Sequence, residues 1–331
     1  MHLLKEPIKI KNVTLKNRLV MPPMATANAE AGAVTRELED YYDEKSKGGH
    51  IGLIILEHSY ISREGMAGPR QISISRESDV AGLTRIAEVI HKNGTKAIAQ
   101  INHAGSAADP SVTGLPAVGP SAVANMSQAG IPGVVPREMT AAEIEAVVEK
   151  FAAAAARTKE AGFDGVEIHS AHFYLLNQFY SPLSNRRADA YGGSVKGRIK
   201  IHLEVIRAVR KAVGDDYLIA LRLGACDYAP GGSTIEDAVY AARSFDAAGV
   251  DLLDISGGLC RYTRPQDTAP GYFGDASEAV KNAVRTPVIL TGGVTDAASC
   301  EKLLEEKKAD LIGVGRAILK DSGWAARQLD N

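Results

Sequence analysis

Two histidines and a tyrosine lie within six positions of one another, at the end of the apolar run "FDGVEIH". His169 and His172 form a His-x-x-His pair that could ligate zinc, with Glu167 or His58 as the third ligand. Alternatively, the histidines are satisfied polar residues under a covering loop, and Tyr174 is a packing residue. Strand alternation by itself would place residues 169 and 172 on opposite faces. The chain must therefore bend after residue 169 if the two imidazoles act at one site.

A second group of residues is suited to binding an anion. The segments "LTGGVTD" and "GVGRAIL" each place glycine at the end of an apolar run and before a predicted helix. Backbone N–H groups can approach an anion there, and a helix N-terminus favours negative charge. These features predict a phosphate site at Gly292, Gly293 and Gly315, to which the guanidinium of Arg316 adds a matching fork of donors. Tight strand-to-helix turns would require the same glycines, and the incomplete glycine pattern of "GVGRAI" predicts no separate nicotinamide domain.

Gln100 and Arg222 stand at the ends of apolar runs, where an unpaired amide or guanidinium would be costly to bury. An amide and a cation that face one pocket suit a polar ring with carbonyl oxygens, and they can hold developing negative charge. A structural ion pair from Arg222 to Asp227 or Asp254 accounts for the same arginine equally well.

The chain alternates short runs rich in Val, Ile and Leu with longer segments of helical period. Short apolar runs bounded by Gly, Pro, Asn or Ser are typical of strands buried on both faces of a parallel sheet. Residues 140–161 illustrate the helices, because Thr140 and Glu143 form a capping box and Gly162 is a C-terminal stop. Eight such units predict an α/β fold, a (β/α)8 TIM barrel, with an N-terminal β-hairpin at "IKIKNVTLKN" that plugs the barrel floor. The eight runs are "NRLVMPP", "IGLIILEH", "KAIAQIN", "DGVEIHS", "LIALRLG", "DLLDISGG", "PVILTGG" and "DLIGVGR".

In such a barrel the carboxyl ends of the strands meet at one mouth, where active sites form. A long loop without helical period leaves this face after the third strand, over residues 106–139, and is either a lid or a surface excursion. The predicted mouth residues, in strand order, are Pro23, Met24, Ala25, Glu57, His58, Gln100, His103, His169, His172, Tyr174, Arg222, Ser256 to Gly258, Gly292, Gly293, Gly315 and Arg316.

Composition excludes several classes of protein. The 331 residues carry a net charge of −2 without a basic block, so no electrostatic footprint for nucleic acid or an anionic membrane is present. The apolar runs are too short to span a bilayer, and the N-terminus lacks the apolar core of a signal peptide. Three widely spaced cysteines fit neither a disulfide framework nor a metal cluster. We expect one cytoplasmic domain over residues 1–331, whether as a monomer or as a homo-oligomer.

Taken together, the ordered motifs resemble the old yellow enzyme family of FMN-dependent oxidoreductases over essentially the whole chain. The most specific motif is "GFDGVEIHSAHFYLLNQFYSPLSNRRADAYGGS". Other segments that follow the family pattern are "NRLVMPPM", "VTRELEDYY", "GGHIGLIILE", "AIAQINHAG" and "DLIGVGR". The resemblance implies a flavoprotein with a (β/α)8 fold, bound FMN and ene-reductase chemistry.

Carried over residue by residue, the resemblance implies that the flavin ring rests on the segment 22–25. Gln100 would lie at the pyrimidine edge of the ring and Arg222 near N1 and O2. His58 would stand beside the flavin or the substrate, where relatives usually have a small residue. The full set of implied cofactor-binding residues is Pro22, Pro23, Met24, Ala25, His58, Gln100, Arg222, Gly292, Gly293, Gly315 and Arg316.

The same resemblance implies roles for the opening trio. His169 and His172 would hydrogen-bond the oxygen of a carbonyl or nitro group and act as an oxyanion hole while negative charge builds there. Tyr174 would protonate the α-carbon, because a phenol with a pKa of about 10 is protonated at neutral pH.

The expected activity is that of an NAD(P)H oxidoreductase, an ene reductase for electron-poor small-molecule alkenes. Hydride would pass from NADH or NADPH through flavin N5 to the alkene, with ping-pong kinetics. Two alternatives remain, an FMN-binding redox sensor or store with little turnover and a metal-dependent lyase or hydrolase on a TIM barrel.

Some positions depart from the family pattern. Ala25 stands where many relatives have a cysteine or threonine that donates toward flavin O4, so we predict a flavin that is harder to reduce. Ala27 replaces a substrate-contacting tyrosine of some relatives, which implies a roomier pocket. The chain closes with "GWAARQLDN" soon after the last predicted helix, so we expect no second nucleotide domain and direct hydride delivery by the nicotinamide.

Overall fold

Eight strands close into a parallel barrel within residues 2–264 and 266–330, which are the residues described by this computed structural model. The barrel runs β3, β4, β5, β8, β9, β10, β11, β12, and β12 pairs with β3 to close it, which confirms the predicted (β/α)8 architecture. In chain order the strands are β1 (Ile8–Ile10), β2 (Val13–Leu15), β3 (Leu19–Met21), β4 (Leu53–Tyr60), β5 (Lys96–Asn102), β6 (Val118–Gly119), β7 (Arg137–Glu138), β8 (Gly165–Ser170), β9 (Leu218–Cys226), β10 (Leu252–Gly257), β11 (Val288–Thr291) and β12 (Leu311–Gly313). The helices are α1 (Arg36–Ser46), α2 (Val80–Lys92), α3 (Pro110–Thr113), α4 (Ala141–Glu160), α5 (Leu175–Tyr180), α6 (Val195–Arg198), α7 (Lys200–Val213), α8 (Ile235–Ala247), α9 (Gly274–Lys281), α10 (Ala297–Glu305), α11 (Arg316–Lys320) and α12 (Trp324–Leu329).

The strands are apolar on both faces because both faces are covered. All nine residues of β9 and all six of β8 are buried, between the barrel interior and the surrounding helices. Helix α4 begins as predicted, since Thr140 accepts a hydrogen bond from the backbone of Glu143 in a complete capping box. Ile144, Val147 and Phe151 form its buried stripe.

The hairpin of β1 and β2 closes the floor of the barrel, as predicted. The two strands pair antiparallel, and Ile10, Val13 and Leu15 are buried in one cluster with interior residues such as Val20 and Leu53. Each fully buried aliphatic side chain of this kind contributes about 1.5–3 kcal/mol to stability. The floor is therefore a packed apolar plug, and only the opposite end of the barrel is left for polar groups.

The long loop over residues 106–139 is present as predicted, and it contains one short helix, α3, that the sequence did not indicate. Asp109 caps α3, Pro110 occupies its first turn and Gly114 ends it in a left-handed conformation with φ of 71°. A helix of four residues set by its caps has too few turns to produce an apolar period. Strands β6 and β7 pair within the same segment. None of the helices in the described part of the chain has the length and apolar character needed to cross a membrane.

Candidate active site

The carboxyl ends of the barrel strands surround a cavity of about 490 Å³, a size typical of small-molecule sites. Every catalytic and cofactor-binding residue predicted from the sequence lines this cavity. They are Pro22, Pro23, Met24, Ala25, His58, Gln100, His169, His172, Tyr174, Arg222, Gly292, Gly293, Gly315 and Arg316. We call His58, His169, His172 and Tyr174 the imidazole wall, and Gly292, Gly293, Gly315 and Arg316 the glycine cradle.

The chain bends after residue 169, as the pairing of the two histidines requires. His172 and Phe173 both adopt left-handed backbone conformations, with φ of 61° and 60°. Such conformations cost about 1–3 kcal/mol each in residues other than glycine and persist only when neighbours hold them. Side-chain amides do so here, because Asn177 accepts from the Phe173 N–H at 2.9 Å and Gln178 donates to the Phe173 carbonyl at 2.6 Å. The bend brings the rings of residues 169 and 172 to 5.0 Å between centroids.

The imidazoles of the pair are neutral. Burial, reinforced by the positive charge of Arg222, holds the pKa of His169 and of His172 well below the ordinary value of 6.5. His172 Nε2 lies 2.9 Å from Ser256 Oγ, so His172 can donate into the cavity from Nδ1 only if it accepts the serine proton at Nε2. His169 Nδ1 is buried without a hydrogen-bond partner among the described residues. An orphaned polar atom in a buried site indicates that a bound molecule completes it.

His58 is the third imidazole of the wall, and its protonation is set by two amides. Gln71 Nε2 and Asn102 Nδ2 lie 3.0 and 3.2 Å from His58 Nδ1. Because amide N–H groups only donate, Nδ1 must accept and the ring proton is on Nε2. Burial and the charges of Arg261 and Arg222 lower the pKa of His58 to about 4. The sequence left the orientation of His58 open, and a register shift in β4 between Leu56 and Ser59 turns it into the cavity.

Tyr174 completes the wall as a buried phenol. Its ring stacks on His58 at 5.4 Å and meets His169 edge-on at 5.3 Å. Burial raises the pKa of Tyr174 above its ordinary value of 10, against the opposing effect of Arg261, so the hydroxyl keeps its proton at neutral pH. Arg261 Nη2 donates to the Tyr174 oxygen at 3.4 Å, which leaves the tyrosine proton free for another acceptor.

A layer of buried charge lies next to the cavity. Gln100 donates to Glu167 at 2.6 Å, and Arg222 Nε is 3.1 Å from Asp254 Oδ2, close enough for an ion pair but not aligned as a hydrogen bond. Of the two structural partners considered for Arg222, Asp254 is therefore the one found, and Arg222 also lines the cavity. Burial, reinforced by Asp254, raises the pKa of Glu167 to about 8, so this carboxyl is protonated at neutral pH. Asp227, the other partner considered for Arg222, accepts hydrogen bonds from Ser181 and from two backbone N–H groups.

The glycine cradle is only partly built as predicted. Gly315 is the N-cap of α11, and a Cβ there would lie 2.9 Å from Met24 Sδ. Gly292 and Gly293 do not lead directly into a helix, because Asp296 intervenes and caps α10 with its own carboxylate. The expected helix does follow Gly292 and Gly293, but its first N–H groups are capped by Asp296 and do not follow the glycines directly. Arg316 donates to the Tyr272 hydroxyl at 3.3 Å and makes no ion pair with a described residue.

Four of the predicted mouth residues do not line the cavity, namely Glu57, His103, Gly257 and Gly258. Glu57 faces away from His58 and accepts from the backbone N–H and the hydroxyl of Thr26, at 2.9 and 2.7 Å, which holds the segment that follows β3. His103 accepts from the Gly105 N–H at 3.0 Å and lines a separate pocket. Side-chain direction alternates along a strand, so position at a strand end does not by itself place a residue in the mouth.

The zinc alternative finds no support in the ligand geometry. Within residues 2–264 and 266–330, no group of three or more His, Cys, Asp or Glu side chains is placed to hold a metal ion. Seven lining residues were missed from the sequence. Thr291, Val294, Thr295 and Gly313 flank the predicted glycines, and the other three are Arg261, Tyr262 and Tyr272. These last three lie on the loop after β10 and before α9, where no periodic pattern marks them.

Comparison with known proteins gives a consistent result. The chain matches the model of the NADH:flavin oxidoreductase / NADH oxidase family over residues 3–330. It is 40% identical over 323 residues to an NADH oxidase of Thermoanaerobacter brockii, covering 96% of this chain and 49% of that protein. It is 35% identical over 325 residues to an NADPH dehydrogenase of Halalkalibacterium halodurans, covering 98% of this chain and 93% of that protein. The structure superposes on an old yellow enzyme homologue from Zymomonas mobilis with a TM-score of 0.87 and 25% identity, over 99% of this chain and 92% of that one. The chain thus spans about half the length of the first relative and nearly all of the second.

Proposed function

Because the chain belongs to the NADH:flavin oxidoreductase / NADH oxidase family, the old yellow enzyme family, we propose that it is an FMN-dependent NAD(P)H oxidoreductase. Its reaction is the reduction of the C=C bond of small alkenes conjugated to a carbonyl or nitro group. The observation that carries this proposal is that the imidazole wall and the glycine cradle line one cavity. Residues 1–331 act as one FMN-binding unit.

The residues around the cavity fit FMN. Three arginines line it and no carboxylate of the described chain does, so the site favours an anion. The cradle offers the Gly315 backbone for the phosphate. It also offers the guanidinium of Arg316, which donates to Tyr272 but makes no ion pair with a described residue. Residues 22–25 and Gln100 would hold the ring, with the charge of Arg222 beside it. Bound FMN supplies two-electron hydride chemistry between a nicotinamide and the alkene.

The imidazole wall binds and polarises the substrate. His169 and His172 donate hydrogen bonds to the oxygen of the activating group and stabilise the negative charge that develops there. Because both rings are neutral, they do so as donors and not as cations. Tyr174 gives its proton to the α-carbon as the general acid.

Nicotinamide and alkene use the same cavity in turn. The predicted site residues line one space, so the oxidised nicotinamide leaves before the alkene binds. This order is that of ping-pong kinetics, with parallel lines in double-reciprocal plots at several fixed alkene concentrations.

The proposal is tested by an absorption spectrum followed by turnover. We expect a yellow protein that releases FMN on denaturation and that oxidises NADH or NADPH with 2-cyclohexenone in the absence of oxygen. A preparation that binds FMN and a nicotinamide but reduces no enone would support a redox sensor or store instead. A preparation that takes up no flavin would overturn the proposal.

A further inference from the structure

We propose that Tyr272 is a positioning residue that couples cofactor binding at the glycine cradle to the loop over residues 258–264, which follows β10. This inference rests on the proposed function and adds a link between the glycine cradle and the imidazole wall. With the phosphate of FMN in the cradle, the loop is held in place and keeps Tyr262 beside the wall. Without the phosphate, the loop is held less firmly.

The ring of Tyr272 lies directly on two glycines of the cradle. A Cβ at Gly293 would lie 2.6 Å from Tyr272 Cε1, and a Cβ at Gly292 would lie 3.0 Å from Cε2. The backbone N–H of Gly271, the preceding residue, donates to the Gly292 carbonyl at 2.6 Å. Tyr272 is only 6% exposed, and it lines the cavity. The two glycines therefore leave the space that this ring occupies.

The hydroxyl of Tyr272 joins two groups from different parts of the chain. It donates to the backbone carbonyl of Tyr262 at 2.5 Å, since a carbonyl only accepts. It accepts from Arg316 Nη2 at 3.3 Å, since a guanidinium only donates. Burial raises the pKa of Tyr272 above its ordinary value of 10, against the opposing charge of Arg316, so the donated proton is present at neutral pH. One phenol thus links the arginine of the cradle to the loop.

The middle of the loop has no other anchor of this kind. At its two ends, the Leu259 N–H donates to a carboxylate at 2.8 Å, and Arg264 forms an ion pair at 3.0 Å. Over residues 260–263, the bond from Tyr272 is the one hydrogen bond that ties the backbone to a described residue outside the loop. The position of this segment therefore depends on the Tyr272 hydroxyl.

Tyr262 carries the coupling to the imidazole wall. Its ring meets that of His172 edge-on, at 6.1 Å between centroids, and lies 5.6 Å from the guanidinium carbon of Arg261. Residues 261 and 262 both line the cavity. The side chain of Tyr262 is 52% exposed, so little besides the backbone bond holds it there. A shift of the loop therefore changes the shape of the site beside the paired histidines.

Cofactor binding acts on this loop through Arg316. The side chain of Arg316 is exposed and makes no ion pair with a described residue, so it keeps much of its rotamer freedom. A phosphate in the cradle binds the guanidinium and fixes it, and the donation to Tyr272 then costs little further entropy. Hydrogen bonds in a chain polarise one another, so a firmer donation to the phenol oxygen also strengthens the bond to the Tyr262 carbonyl.

Hydrogen exchange of the loop, followed by mass spectrometry, tests the coupling. Apoprotein, apoprotein with excess riboflavin and FMN-loaded protein are compared, because riboflavin lacks the phosphate. We expect FMN to slow exchange in a peptide covering residues 258–264 by about threefold to tenfold, the effect of one net hydrogen bond, and riboflavin to slow it less. In Tyr272→Phe at saturating FMN this slowing should be lost.

Tyr228→Phe is the matched control. Its hydroxyl donates to Asp275 at 3.0 Å and its ring stacks on Phe273 at 5.9 Å, but Tyr228 does not line the cavity. FMN should protect the loop in this variant as it does in wild type. Equal loss of protection in the two variants, or equal protection of wild type by FMN and riboflavin, would overturn the inference.

Turnover separates this inference from the proposed function. In Tyr272→Phe the KM for 2-cyclohexenone should rise on the order of threefold to tenfold and kcat should change by less, because the loop shapes the site and donates no proton to the alkene. Turnover with an unchanged KM and unchanged loop protection in this variant refutes the inference and leaves the proposed function standing. A protein that takes up no flavin refutes both.

Discussion

The glycine cradle and the imidazole wall, which line the same cavity, are built in different ways. The glycine cradle comes from two neighbouring strand ends, and its members lie within residues 292–316 of the chain. The imidazole wall combines β4 with β8 and depends on Gln71, Asn102 and Ser256 for its protonation. An anion site can be encoded locally by backbone and one arginine, whereas a wall of neutral donors needs distant partners that decide where each proton lies.

The largest expected effect is the loss of turnover in Tyr174→Phe, a change in the imidazole wall that should leave FMN binding by the glycine cradle intact. Loss of the general acid should lower turnover of 2-cyclohexenone by about 10²–10⁴-fold. FMN affinity should stay within about twofold of wild type, because the phenol belongs to the wall. Steady-state rates and FMN dissociation constants, measured on the same preparations, check both statements. A variant with normal turnover would show that the proton comes from another group.

Arg316→Gln should have the opposite effect, weakening FMN binding at the glycine cradle without changing the chemistry at the imidazole wall. Removal of the charged donor should weaken FMN binding on the order of tenfold to a hundredfold, since hydrogen bonds to charged groups contribute about 1.5–3 kcal/mol. Turnover per bound FMN should be nearly unchanged. Fluorescence titration of apoprotein with FMN measures the affinity, and Lys320→Gln on the same helix is the control for loss of charge alone. Equal losses in the two variants would contradict a phosphate role for Arg316.

The buried neutral histidines make the stability depend on pH. Burial lowers the pKa of His58 and of His103 to about 4, and that of His202 to about 3, from an ordinary value of 6.5. Between pH 6.5 and pH 4 these three histidines bind more protons in the unfolded chain than in the folded one. Together they exceed the opposite contribution of Glu167, whose pKa is raised to about 8, so the free energy of unfolding should fall as the pH falls through this window. Urea unfolding at pH 7.0, 6.0 and 5.0 checks the direction. An unfolding free energy that rises toward pH 5 would contradict neutral buried imidazoles.

A smaller effect is expected on the protonation of His58 in the imidazole wall. Gln71→Leu removes one of the two donors to His58 Nδ1, so protonation of that nitrogen becomes less unfavourable and the pKa of His58 should rise from about 4. The activity of wild type, as kcat/KM, should show no histidine titration between pH 5.5 and 8. The variant should lose activity toward the acid end of this range. Identical pH profiles would mean that Gln71 does not control the protonation of His58.

The barrel, its floor and most of the residues that line the cavity were predictable from the sequence. Buried parallel strands leave continuous apolar runs, and the carboxyl ends of such strands must meet at one edge. The predicted bend after residue 169 also follows from alternation, and the structure places it at His172 and Phe173. The predicted placement of Glu57 and His103 in the mouth is wrong, because a position at a strand end does not fix the direction of the side chain.

The sequence by itself determined which residue types stand at the strand ends, because the period of the apolar runs and the turn-forming glycines are local properties of the chain. Only the tertiary structure decided how those groups are charged and which of them face the cavity. The protonation of His58 depends on amides at positions 71 and 102, and Arg222 found its partner in Asp254 on the next strand. Such partners meet through the closure of the barrel, which brings side chains together from positions far apart in the chain, and the energy of a buried charge depends on those neighbours.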